Sequence, residues 1–168
     1  MTLILYVPCE AEKSRALGDV FYEIQQLWAS THLTSDQPLV MNAFLESVLI
    51  HVRVLLDFFE RAHRSKRRDG DLTRENDDVL AADYGFDARP IDLAEIYRER
   101  LNKDLVHLTY SRGHRLPDSK PWPREEVVIP VVERAIEFID FLDDDRLRAT
   151  PGVGVAQWRE LRKNLEGL

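Results

Sequence analysis

From Pro38 to His63 the chain carries a single helical pattern that is apolar on almost every side. Phe44, Leu45, Val48, Leu49, Val52, Leu55, Leu56, Phe58 and Phe59 cover most of the circumference. Only Glu46, Arg53, Asp57 and Glu60 fall together as a polar strip, at about 100° of rotation per residue. A helix this apolar is normally the central one of a bundle, packed against several neighbours. Its uninterrupted apolar runs are far shorter than a bilayer span requires, so the sequence places it in a protein core and implies no membrane partner.

Other segments supply the neighbours. Between Glu12 and Ser30, residues Leu17, Val20, Phe21, Ile24, Leu27 and Trp28 recur at helical steps and predict a buried stripe. A third helix is predicted from Leu93 to Arg112, ending near Gly113, with Asp92 as its cap, Glu95 as capping-box partner and Ile91 with Ile96 as a hydrophobic staple. Val128, Val132, Ala135, Ile139 and Leu142 mark a fourth, with Pro130 in its first turn or at a kink and Asp143, Asp144 and Asp145 at its end. A final short helix is predicted from Val155 to Leu165, with Trp158 and Leu161 inward. The basic run Arg61, Arg64, Lys66, Arg67 and Arg68 reads as a solvated helix end, and the acidic run Asp69 to Asp78 after it as exposed loop. Residues 77–86 suggest a helical turn before Pro90, and Pro117 to Pro123 a rigid connector. No segment alternates as a half-buried strand does; the first seven residues read as extended but without a partner. The expectation is a single domain over residues 1–168, all-α, an up-and-down four-helix bundle with a short extra C-terminal helix.

Composition narrows the function classes. With 44% hydrophobic and 32% charged residues among 168, the chain reads as a soluble globular protein. Lys and Arg number 23 against 30 Asp and Glu, a net charge of -7, which argues against a dedicated DNA binder. The opening Met-Thr-Leu-Ile-Leu-Tyr-Val lacks the basic start of a signal peptide, and the single Cys9 fits a reducing cytoplasm. No glycine-rich phosphate loop and no nucleophile elbow occurs. Among His32, His51, His63, His107 and His114 no pair has zinc-ligand spacing, so neither a metal nor another cofactor is expected.

The third helix is the informative segment. Tyr97 to Arg115 holds five basic and two acidic side chains, +3 in a protein of -7. Arg100, Asp104, His107 and Ser111 lie on one line within its inward side, bracketed by Ile96 and Tyr97, while Asn102 points to the opposite, surface side. Polar groups aimed inward must be paired or hydrated, so a neighbouring helix, a second subunit or a ligand faces the strip. In the structural reading it satisfies itself, through Arg100 with Asp104 and Asp104 with His107. Lys103 and Arg112 form a basic flank suited to phosphate. His51 shares a face with Phe44, Val48, Leu55 and Phe58, either as a hydrogen-bonded core histidine or as the group opposite the strip.

The segments from Asn42 to Phe59, then Asp77 to Tyr84, then Arg100 to Arg112 resemble a group of uncharacterised bacterial proteins that is similar in turn to the HEPN superfamily of helical bundles. Many members of that superfamily are metal-independent ribonucleases of toxin–antitoxin and phage-defence systems. The resemblance implies Arg100 and His107 as the catalytic pair, with six intervening residues at the upper limit of the family spacing. It also implies two such helices meeting across a homodimer, with RNA or a protein as partner. His107 would move a proton at the ribose 2′-hydroxyl or the leaving oxygen, and Arg100 would hold the scissile phosphate. The residue after the arginine, usually polar in active members, is Leu101. Leu101 and the acidic total favour the alternative, a non-catalytic dimerisation or protein-interaction bundle. A third reading has His51 and His107 lining a small-molecule pocket between the second and third helices.

Overall fold

A computed structural model describes residues 2–69, 72–103, 105 and 121–168. Two long helices, α1 (Glu10–Thr31) and α2 (Pro38–Glu60), form a hairpin and pack along each other. Leu17, Val20, Phe21, Ile24 and Leu27 of α1 are buried, as the stripe requires. Glu12 starts the helix, accepting a hydrogen bond from the backbone N–H of Cys9 at 2.7 Å. After α2 come β2 (Lys66–Asp69), β3 (Leu72–Glu75), a 3₁₀ turn at Ala81–Tyr84 and α3 (Glu95–Lys103). The last third holds α4 (Arg124–Val127), α5 (Ile129–Phe141), α6 (Asp144–Ala149) and α7 (Val155–Glu166). The protein is thus mostly helical, with seven α-helices and one small sheet among the described residues.

The sheet corrects two expectations. β1 (Thr2–Ile4) pairs in parallel with β3, and β2 pairs antiparallel with β3, giving the order β1-β3-β2. The opening residues do have a partner, and the basic run, which begins at the C-cap of α2 with Arg61, continues into a strand instead of staying a solvated helix end. Opposite charges stabilise the hairpin where Lys66 faces Glu75. Arg64 ties the residues beside the sheet to the 3₁₀ turn: it meets Asp83 at 2.5 Å, largely buried on both sides, and lies 5.2 Å over the Tyr6 ring.

Aromatic rings fill the centre. Phe138 of α5 stands edge-on to Phe58 at 5.2 Å and Phe86 at 5.2 Å, with Phe59 and Tyr84 just beyond. Trp158 of α7 is fully buried and meets Phe21 of α1 at 4.9 Å. Pro130 sits in the first turn of α5, where its missing N–H costs nothing. The three aspartates do follow α5, but they also begin α6: Asp143 accepts from the Arg146 N–H at 2.8 Å.

α2 departs from the expectation in one respect. Val48, Leu49, Val52, Leu55, Leu56, Phe58 and Phe59 are buried, yet Leu39, Ile50 and Val54 stand exposed on the opposite side. The helix is enclosed on one side only. By length and composition it is apolar enough to cross a membrane, although about 33% of that window is buried inside the protein.

Candidate functional site

Arg98 joins α3 to the end of α2. It donates to both carboxylate oxygens of Glu60 at 2.7 Å, to the Ile91 carbonyl at 2.6 Å and to the Leu93 carbonyl at 3.1 Å. Glu60 in turn accepts the Ile91 N–H at 2.6 Å, and Ile91 and Leu93 are buried. The segment before the helix is therefore held in a non-helical path. α3 starts at Glu95, with its first backbone bonds returning to Ala94, so Asp92 is not the cap. For the same reason Ile96 is 49% exposed instead of stapled to Ile91.

Arg100 faces inward, as its spacing demanded, and is only 4% exposed. Its guanidinium lies 3.9 Å over the Trp122 ring and 5.8 Å from the Tyr97 ring, and Nη1 donates to the Pro121 carbonyl at 3.0 Å. The arginine thereby fastens α3 to the stretch leading into α4. Leu101 beside it is 1% exposed and belongs to the core. Burial, reinforced by a hydrogen bond with Glu126, pushes the Tyr97 phenol above its ordinary value. Asp104, His107, Ser111 and Arg112 lie outside the described residues, as does the predicted continuation of α3 to Arg112.

His51 turns the other way. Its Nδ1 is 2.7 Å from a carboxylate oxygen of Glu23 on α1, with 12% of its side chain exposed. It is a hydrogen-bonded histidine at the α1–α2 seam and faces neither α3 nor a pocket between α2 and α3. Lys103 is exposed and forms an ion pair with Glu99 one turn earlier.

The polar strip of α2 and the outer side of α3 meet along a surface seam. After Glu60 and Arg98, the next contact runs from Arg53 Nε to Asn102 Oδ1 at 3.3 Å. Four residues separate Arg98 from Asn102, so one face of α3 reads the strip in successive turns. Asn102 is exposed, as the sequence suggested, but it is engaged with α2 rather than with water alone. The strip on α2 was legible; that Arg98 and Asn102 are its partners was not. On the far side of α2 an open cavity of about 320 Å³ lies against α1, floored by Val20, Val54, Phe58 and Leu80. Arg61 bridges Asp57 at 3.0 Å and Asp78 at 3.5 Å on its rim. No group of three or more His, Cys, Asp or Glu suited to a metal occurs among the described residues. In comparisons with known proteins the chain matches no family model, no curated protein and no solved structure.

Proposed function

We propose that the protein is a HEPN-like helical bundle that works by self-association, its outer α2 surface serving as the interaction face. The observation that carries this reading is the exposure of Leu39, Ile50 and Val54, at 82%, 48% and 41%, on the most apolar helix of the chain. A contiguous exposed apolar patch marks an interaction surface, and Ile50 and Val54 are neighbours one turn apart on this face. The setting of Arg100 supports an interaction role over phosphate chemistry at that residue. Its guanidinium already has an aromatic face and a backbone carbonyl as partners, so reaching a phosphate would mean abandoning both. Size-exclusion chromatography with light scattering tests the reading: a mass of two chains supports it, and a single-chain mass at every accessible concentration removes it.

A second reading, RNA binding or metal-independent cleavage, draws on the surface seam. Arg53, Asn102 and Lys103 bring two cationic side chains and an amide to the outer side at the end of α3, four residues before His107. Such groups suit a phosphate backbone. Incubating labelled single-stranded RNA with wild type and with His107→Ala tests it; cleavage by the wild type alone supports it, and no cleavage by either removes the catalytic form.

A further inference from the structure

Leu39, Ala43, Glu46, Ile50, Arg53 and Asp57 follow one another along α2 at steps of four and three residues. That is the spacing of a helix–helix seam. Leu39, Ala43, Glu46, Ile50 and Asp57 are all exposed, and Arg53 is half-buried where it meets Asn102. Resting on the self-association reading, we propose that two copies pair through this seam, α2 against α2 and antiparallel, with a two-fold axis passing at Ile50.

The register follows from helix geometry. A two-fold axis perpendicular to an antiparallel helix pair sets each residue level with the one equally far on the other side of the axis. Ile50 then meets the partner's Ile50, the small Ala43 leaves room for the partner's Asp57, and Leu39 lies against the stem of the partner's Arg61. Glu46 and Arg53 sit almost equally far from Ile50, on opposite sides of it along the axis, and project to the same flank of the seam at about 100° per residue. The two-fold operation therefore places Glu46 opposite the partner's Arg53, and Arg53 opposite the partner's Glu46. The surface is complementary to itself in charge as well as in its apolar centre.

Sliding one copy along the other by one helical turn loses this match. Glu46 then lies against the partner's Ile50 in one direction and the partner's Asp57 in the other. Arg53 comes level with the partner's Ala43 or the partner's Ile50, so it faces no carboxylate in either case. A membrane is the competing occupant for an apolar helix face. Glu46, Arg53 and Asp57 on the outward side disfavour it, because charged side chains are costly in hydrocarbon, whereas a facing helix of the same sequence pairs Glu46 with Arg53 and leaves Asp57 with Arg61 of its own chain.

The test uses the full chain in a Cys9→Ser background, since Cys9 is the one cysteine of the sequence. Ile50→Cys, on the axis, is expected to form a disulfide-linked dimer under mild oxidation, while Ser35→Cys, off the seam, is not. Glu46→Arg and Arg53→Glu are each expected to weaken the dimer by about tenfold or more, and the double exchange to restore it. A dimer that persists without Ile50→Cys cross-linking and ignores both charge reversals overturns the register while leaving self-association standing. A wild type that stays monomeric overturns both. Flotation of the wild type with phosphatidylcholine vesicles, lost in Ile50→Glu, overturns the pairing in favour of a membrane surface.

Discussion

Glu60, on the last turn of α2, receives one hydrogen bond from each terminal nitrogen of Arg98 on α3, both at 2.7 Å. The same carboxylate holds the Ile91 N–H, and the same guanidinium holds two carbonyls of the segment entering α3. Truncating Glu60 to alanine takes the charged partner from a partly buried guanidinium, which keeps only two carbonyls, and the acceptor from the Ile91 amide. The expected loss is about 2–3 kcal/mol, below the full cost of breaking a buried pair because both side chains retain some exposure. Urea unfolding checks this: the midpoint should fall with the slope unchanged, and a change within about 0.5 kcal/mol would reduce the pair to a surface contact.

Arg100 separates a structural from a catalytic role within one variant. Arg100→Ala removes the stack on Trp122 and the bond to the Pro121 carbonyl, so we expect a loss of about 2–3 kcal/mol and a shift in tryptophan emission. Thermal melting and fluorescence report both. An unchanged melting temperature combined with lost RNA cleavage would assign the residue to chemistry instead.

Phe138 is the hub of the aromatic core, in edge-on contact with Phe58, Phe59, Tyr84 and Phe86. Phe138→Leu leaves a partial void among four rings, and an expected cost of about 2–3 kcal/mol follows from lost burial plus the cavity. Chemical denaturation measures it; a near-neutral result would mean the rings close around the gap.

Acid should loosen two attachments first. The hydrogen bond from Arg162 of α7 holds the Asp140 carboxyl of α5 below its ordinary value, and the Cys9 N–H does the same for Glu12 at the start of α1. A carboxyl depressed by folding adds stability at pH above its unfolded value, which is lost as pH falls through the folded value. The decline is expected below about pH 4. It should be shallower in Asp140→Asn, as urea midpoints across acid pH will show. Identical acid limbs in the two proteins would contradict the assignment.

The helices were legible where their apolar residues recur at helical steps. α1, α2 and α7 appear with the predicted stripes, and Trp158, Leu161 and Leu17 are inside. The sheet was not. Lys66, Arg67, Arg68 and Asp69 carry no alternation to read, and β1 finds β3 some seventy residues away. The Gly70-Asp71 dipeptide, a glycine-led pair of the kind that joins hairpin strands and lying in sequence between the paired Asp69 and Leu72, was the signal available. Asp143 illustrates a second loss: charges at one helix's end can equally cap the next, and the dipole rule alone does not separate these cases. For Arg100 the inward direction was readable from spacing. Its partners were not, since Pro121 and Trp122 lie beyond a proline-rich stretch and no periodicity connects them to α3. The open side of α2 was hidden for a related reason: apolar composition reports what a helix would bury, but not whether its own chain supplies the cover.

Sedimentation equilibrium of the wild type beside Ile50→Glu bears most directly on α2 as the working surface. The wild type should sediment as two chains and the variant as one, with the same helical circular dichroism. A wild type that is monomeric throughout, or a folded Ile50→Glu that dimerises as tightly as the wild type, would contradict it.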